Sequence, residues 1–277
     1  MTTGLLVTGG TGYLGSELLR QAPAVGTWLT REPPAGGDWV RLDVRDPAAV
    51  QREFERLRPA AVIHTAYRQH DRATTLEGAA AVAEAAAAVA ARLVHVSTDV
   101  LFDGTKPGPY TEDDPPSPIT DYGRAKADAE GAVRTAHPGA LVVRTSLIYG
   151  GRQPSRHERL ACEAAKGLGG MTFFEDELRS PVLVGDLASA LLELAGRDEE
   201  GILHVAGPDT VSRYEFAFLL AQAHGLSGER ILRRRLAGAD LVRPANCALD
   251  SSRARAVLRT RLRGVLEYAA GAGRPPP

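Results

Sequence analysis

The stretch Leu5-Leu6-Val7-Thr8-Gly9-Gly10-Thr11-Gly12-Tyr13-Leu14-Gly15 decides the reading of this chain. Four strand-forming residues run into a glycine turn, and residues 16–21 beyond it are helix-competent. Read from Gly10 the glycines fit G-x-G-x-x-G, and read from Gly9 they fit G-x-x-G-x-x-G. Glycine permits the sharp turn, the close approach of backbone to a pyrophosphate, and tight packing of helix on strand. The helix N-terminus adds free N–H groups for phosphate oxygens. The stretch predicts the first strand, turn and helix of a dinucleotide-binding unit, with Gly9, Thr11, Gly12, Tyr13, Leu14 and Gly15 against the cofactor.

Outward from this unit, short apolar runs alternate with helical patterns, the signature of a parallel sheet covered on both faces. Strands are expected at residues 24–29, 40–44, 60–66, 93–97 and 140–146. Asp46 followed by Pro47 reads as a helix cap with a first-turn proline, and Val50, Phe54 and Leu57 give that helix one apolar face. An alanine-dominated helix is expected at 79–91, packed on the sheet or serving as a subunit contact, and a further helix runs from Asp121 to about Thr135. The fold class is α/β: a Rossmann-type doubly wound parallel sheet over residues 1–150, with a smaller mixed α/β substrate-binding part over 151–277 interleaved with it. In that second part a polar connector carrying Arg152, Arg156, His157 and Arg159 leads to a helix, and Met171-Thr172-Phe173-Phe174 follows it. Asp186 is expected to cap the helix at 187–195, and Ile202 to Ala206 reads as a strand. Ser212-Arg213-Tyr214-Glu215 reads as a capping box, and the tail at 273–277 is expected to fray.

A formal net charge of −1 argues against a nucleic-acid or membrane surface as the main partner. The two cysteines, Cys162 and Cys247, stand far apart in no ligand spacing, so neither a disulfide framework nor a metal site is expected. No apolar run is long enough to span a bilayer, and the reading is a cytoplasmic protein.

Ligands in open α/β sheets bind at the C-terminal ends of the strands. There Ser97-Thr98-Asp99 ends one strand, and Tyr122-Gly123-Arg124-Ala125-Lys126 opens the next helix. A spacing of four puts Tyr122 and Lys126 on one helix face, where the ammonium is expected to lower the phenol pKa. Tyr122 would then donate a proton to a carbonyl that accepts hydride, with Thr98 holding that carbonyl by a hydrogen bond.

With these motifs in place, the chain resembles the extended short-chain dehydrogenase/reductase superfamily over nearly its whole length. It is most similar there to the dTDP-4-dehydrorhamnose reductase-like group, which includes the regulatory subunit of methionine adenosyltransferase. The resemblance rests on Ser97-Thr98-Asp99-Val100-Leu101-Phe102-Asp103-Gly104, on Arg144-Thr145-Ser146-Leu147-Ile148-Tyr149-Gly150, and on Arg243-Pro244-Ala245-Asn246 with Leu249-Asp250. It implies a reductase of the keto group on a nucleotide-linked sugar. Thr98, Tyr122 and Lys126 would be its catalytic triad, and Lys126 would also hold the nicotinamide ribose. Asp43 and Val44 would flank the adenine, and Thr65, Ala66 and Thr145 would complete the cofactor cleft. Thr98 and Asp99 would face the substrate, with Arg179 placed to grip its phosphates. The chain departs from the group at Thr74-Thr75, where an asparagine is usual, and in the short segment 67–74, which lacks an acidic loop motif. Two other functions stay open: a regulatory, cofactor-binding subunit of a partner enzyme, and a reductase of a carbonyl substrate without a nucleotide.

The end of the second strand, Trp28-Leu29-Thr30-Arg31, bears on cofactor choice. An acid there would bind the ribose hydroxyls of NAD, whereas Arg31 with Thr30 suits the extra phosphate of NADP. NADP is favoured over NAD, although Glu32 is next in line to neutralise Arg31. His64 and His95, inside strands, read as core or strand-end imidazoles rather than ligands. The run Arg230 to Arg235, with Arg233-Arg234-Arg235, reads either as a diphosphate grip or as a solvated edge strand. A homodimer is compatible with the alanine-rich helix as a contact.

Overall fold

The computed structural model describes residues 4–271; the tail expected to fray lies outside them. The first half runs β1 (Leu5–Thr8), α1 (Tyr13–Gln21), β2 (Val25–Trp28), β3 (Asp38–Arg41), α2 (Pro47–Leu57), β4 (Ala61–His64), α3 (Gly78–Ala88), β5 (Arg92–Val96), α4 (Asp121–Ala136) and β6 (Leu141–Arg144). A π-helical turn, Ala73–Glu77, leads directly into α3. The second half holds β7 (Ile148–Tyr149), α5 (Arg156–Ala165), β8 (Thr172–Phe174), β9 (Leu178–Arg179), β10 (Val182–Leu183), α6 (Val184–Ala195), β11 (Gly201–His204), β12 (Val211–Ser212), α7 (Arg213–Ala223), β13 (Leu232–Arg234), α8 (Ser252–Val257) and α9 (Val265–Gly271).

Seven strands form one parallel sheet in the order β3-β2-β1-β4-β5-β6-β11. The strand order reverses between β1 and β4, which opens a crevice at their carboxyl ends. One face is covered by α2, α3 and α4, which bury Val50, Phe54, Ala83 and Val133 against Leu6, Val62 and Leu93. Alanines make α3 thin, so its backbone lies close to the sheet and to the helices beside it. The other face is covered by α1 and α6, with Leu18, Leu187 and Leu191 against Val7, Ile63 and Val94. Because α6 and β11 come from beyond residue 150, the chain crosses back into the large layer after starting the small one. The smaller lobe has its own core of Tyr149, Phe173, Phe216 and Leu220, braced by the short pairs β8–β13, β9–β12 and β7–β10.

Local signals explain most of the boundaries. Asp46 accepts from the Ala49 N–H at 3.0 Å and Pro47 begins α2, as the sequence leads one to expect. The second-half helices differ from expectation in two places. Arg156, His157 and Arg159 are not connector residues but the first turn of α5, whose N-terminus is closed by a reciprocal capping box between Ser155 and Glu158. Asp186 does not cap α6, which begins earlier at Val184; its carboxylate takes the Arg263 N–H and guanidinium instead. Ser212 does cap α7, accepting from the Glu215 N–H at 3.0 Å.

The turn between β1 and α1 leaves no room for a side chain at Gly9, Gly10 or Gly15. Gly9 has φ +70°, and a Cβ on Gly15 would lie 2.3 Å from the Gly9 carbonyl oxygen. Gly15→Ala must therefore push α1 off the turn. It should cost about 1–3 kcal/mol of stability, as overpacking does, visible as a lower melting temperature in calorimetry. Melting unchanged from wild type would mean that the turn is looser than described.

Candidate active site

Along the carboxyl edge of the sheet, between it and the smaller lobe, runs a cleft of about 2110 Å³. Every site residue expected from the sequence, from Gly9 to Arg179, lines it. The reason is topological: parallel strands deliver all their following loops to one edge.

One part of the cleft is built on the glycine turn. Gly12 is the N-cap of α1 and no side chain caps that helix, so its first-turn N–H groups are left for whatever enters. Gly9 lies so close to the next loop that a Cβ would meet Ala66 Cα at 2.9 Å. Farther along, Arg31 is exposed and donates to the Thr11 carbonyl at 3.3 Å. Asp43, at the end of the β3 segment, is gripped by Arg45 through several hydrogen bonds, the shortest 2.7 Å, which hold its carboxyl below the usual carboxylate range.

The opposite part is built on β5 and α4. The Thr120 hydroxyl accepts from the Gly123 N–H at 3.0 Å, which fixes the start of α4 and puts Tyr122 and Lys126 one turn apart on the cleft. Lys126 is buried; its ammonium donates to the Val96 carbonyl at 2.8 Å and lies 3.4 Å from His95 Nε2. Burial pulls its pKa down to about 8, against the pull of Glu130. The expected lowering of the Tyr122 pKa does not appear. Burial pushes the phenol up, the Tyr67 phenol and Asp99 push the same way, and only a hydrogen bond with Thr98 opposes them. Lys126 does not act on the phenol; its ammonium is turned toward β5, where it donates to the Val96 carbonyl.

Behind Lys126 the rings of His64 and His95 stack with centroids 5.2 Å apart, and His64 Nδ1 lies 2.6 Å from the Thr8 hydroxyl. Both imidazoles are buried and neutral: burial, and then Lys126, bring His64 down to about 3 and His95 well below its ordinary value. They are core imidazoles, as expected from their strand positions.

The substrate side differs most from expectation. Arg179 is not an open phosphate grip. It is only 3 % exposed and donates to Glu177 Oε1 at 3.1 Å and to the Leu178 and Pro244 carbonyls, with Asp99 Oδ2 3.7 Å away. Asp99 is itself buried, takes a 2.6 Å hydrogen bond from Ser146, and is raised by burial more than Arg179 lowers it. Glu177 gathers two further guanidiniums, Arg243 at 3.2 Å and Arg213 at 4.0 Å. Three guanidiniums thus meet two carboxylates, and the balance is positive. Arg213, Arg234 and Arg243 line the cleft; sequence reading passed over Arg213 and Arg243 as cleft cations. Arg213 stood within a capping motif and Arg243 within a family motif, and neither carried a local sign of its partner. Of the arginine run, Arg234 lies over the Phe174 ring at 5.5 Å, while Arg233 and Arg235 face solvent with Glu175 and Asp176. Among the described residues no group of three or more His, Cys, Asp or Glu could hold a metal ion, and no helix is long and apolar enough to cross a membrane.

Comparison with known proteins gives the chain its family. The chain matches the family described as RmlD substrate binding domain over residues 3–268. It is 35% identical to a dTDP-4-dehydrorhamnose reductase of Mycobacterium tuberculosis over 255 residues, which is 87% of this chain and 81% of that protein. It is 30% identical to methionine adenosyltransferase 2 subunit beta of Mus musculus, over 90% of this chain and 80% of the other. Among solved structures, a dTDP-4-dehydrorhamnose reductase from Bacillus anthracis in complex with NADP superposes with a TM-score of 0.82 at 25% identity, covering 98% of each chain.

Arg179 stands as a structural centre for two buried carboxylates. Arg179→Ala should cost about 3–5 kcal/mol, the usual effect of stranding buried charge, and lower the melting temperature by roughly 6 °C or more. Arg243, whose side chain is 45% exposed, should melt within about 2 °C of wild type when changed to alanine. Scanning calorimetry of the two variants checks this; an Arg179→Ala protein as stable as wild type would return Arg179 to the role of a free cation.

Proposed function

The chain belongs to the RmlD substrate binding domain family, and from that membership we propose that it is an NADPH-dependent reductase of a keto group on a nucleotide-linked sugar. The observation that carries the reading is the meeting of an uncapped α1 N-terminus with Thr98, Tyr122 and Lys126 in one cleft. A dinucleotide fits the residues present: Gly9 and Gly15 leave no space for a Cβ where the turn must sit under a pyrophosphate, and α1 offers unfilled donors there. In this reading Gly9, Thr11, Gly12, Tyr13, Leu14 and Gly15 hold the pyrophosphate. Thr30 and Arg31 hold the adenosine phosphate, Asp43 and Val44 flank the base, and Thr65, Ala66, Thr145 and Lys126 line the nicotinamide end. NADPH supplies hydride.

The chain's own residues supply the proton and the orientation. The Thr98 hydroxyl, at the end of β5, holds the substrate carbonyl oxygen beside the Tyr122 hydroxyl. A phenol whose pKa is kept high by burial stays protonated across the physiological range and is a proton donor, not a base, until charge develops on the carbonyl oxygen. Lys126, one turn along α4 with its ammonium held by the Val96 carbonyl, keeps a positive charge at the same end of the cleft as the proton leaves. The surplus positive charge around Glu177 faces the other end of the cleft and suits the diphosphate of a nucleotide sugar, with Arg213 and Arg243 as its donors. The first 150 residues thus carry the cofactor and the rest chiefly the substrate.

A second reading, a regulatory subunit, is favoured by the resemblance to methionine adenosyltransferase 2 subunit beta over 90% of the chain. Turnover separates the two. With NADPH and dTDP-4-dehydrorhamnose as probe, wild type should reduce the sugar and Tyr122→Phe should be slower by roughly 100- to 10,000-fold, with NADPH affinity retained. The Lys126 ammonium exists below its pKa, so kcat/KM should fall as pH rises through about 8. Equal rates for wild type and Tyr122→Phe would remove the tyrosine from the reaction.

A further inference from the structure

Arg68 lies on the loop after β4, thirty-eight residues from Thr30, yet its guanidinium Nη2 donates to the Thr30 hydroxyl at 3.2 Å. That contact spans the adenosine end of the cleft, from the loop after β4 to the end of β2. Thr30, Arg31, Asp43 and Arg68 all line this part. The loop holds its shape through Thr75, which is 2% exposed: its hydroxyl donates to the Arg68 carbonyl at 2.8 Å and accepts from the Arg68 N–H at 3.4 Å. Thr75, in the Thr74-Thr75 pair ahead of α3, thus fixes the backbone that carries Arg68.

The electrostatics around Thr30 point the same way. Of the acids at this end, Asp43 and Asp71 are both engaged by Arg45, at 2.7 and 3.6 Å, and Glu32, next to Arg31, makes no ion pair with it. Among the described residues neither Arg31 nor Arg68 has a carboxylate within ion-pair distance, and both side chains are exposed. Two guanidiniums from different loops thus stand at the strand end where an adenosine ribose would lie, Arg68 on the Thr30 hydroxyl and Arg31 on the Thr11 carbonyl, and neither is held in an ion pair. A dianionic phosphate on the ribose 2′ position would complete this arrangement by taking fork-shaped, charge-assisted hydrogen bonds from both.

We infer that Arg68, together with Arg31 across Thr30, is the residue that selects a 2′-phosphorylated adenosine cofactor. The inference rests on the cofactor reading above and adds to it a residue outside the strand-end motif. Arg68 acts on the 2′-phosphate and not on the adenine ring, so its effect must appear with NADPH and not with NADH.

The test is direct binding by calorimetry, with no sugar present, of NADPH, NADH, adenosine 2′,5′-bisphosphate and AMP to wild type, Arg68→Ala, Arg68→Lys and Arg31→Ala. Both arginines are exposed, so the folded protein should survive each change. Arg68→Ala should raise the Kd for NADPH and for the bisphosphate about tenfold or more, the loss expected for hydrogen bonds to a charged group, and leave NADH and AMP within about twofold. Arg68→Lys should recover part of the loss, because it keeps charge without the planar fork. Equal weakening of NADPH and NADH would make Arg68 an adenine or ribose contact and overturn the inference, as would no weakening at all; in either case the cofactor reading stands. Wild type binding neither dinucleotide would overturn that reading and the inference together.

Discussion

The parallel sheet is the constraint on which the rest of this molecule depends. Strands that all run one way need helical crossovers on both faces, so loops with polar freedom gather at the two edges. At the carboxyl edge, strand ends deliver Gly9, Thr30, Asp43, Thr65, Thr98 and Thr145 to one line, and the reversal of order between β1 and β4 opens that line into a crevice. Nothing in those residues alone requires them to meet. The glycine turn sets how close α1 comes to the edge, and the Thr120 cap sets where α4 presents Tyr122 and Lys126.

Charge is used differently at the two ends. Around Asp99, Glu177 and Arg179 it is buried and paired, with Arg213 and Arg243 adding a positive surplus on Glu177, and it fixes the loops of the smaller lobe against the sheet. Around Thr30 it is exposed, and two guanidiniums lack an acidic partner within the described residues. Buried matched charge specifies geometry but contributes little net stability. Exposed unmatched charge contributes little to folding and is free to meet an anion. The neutral pair His64 and His95 behind Lys126 adds no charge of its own, so the lysine carries the local positive charge toward the catalytic end.

What the sequence made legible was whatever depends on neighbours in the chain. The glycine spacing gave the turn, Asp46 with Pro47 gave the start of α2, and a pitch of four gave Tyr122 and Lys126 a common face. Ser155-Arg156-His157-Glu158 carries a capping-box pattern as well, so the start of α5 too is legible from a spacing of three. What stayed hidden depends on partners far away. Arg179 meets a carbonyl sixty-five residues on, Asp186 meets Arg263, and Arg68 meets Thr30, pairs that leave no mark on local pattern. The sign of the Tyr122 shift was hidden for the same reason: spacing reports that a lysine is near, whereas burial, which decides the sign, is set by the whole fold.

In the function proposed for this cleft, a hydride reaches a sugar carbonyl carbon and a proton reaches its oxygen. The most direct measurement is the mass of the product formed from dTDP-4-dehydrorhamnose and NADPH deuterated at both C4 positions. The product should carry a single deuterium on the former carbonyl carbon. Tight binding of NADPH with unlabelled sugar recovered unchanged would contradict it, and would leave a protein that holds its cofactor for a purpose other than reduction.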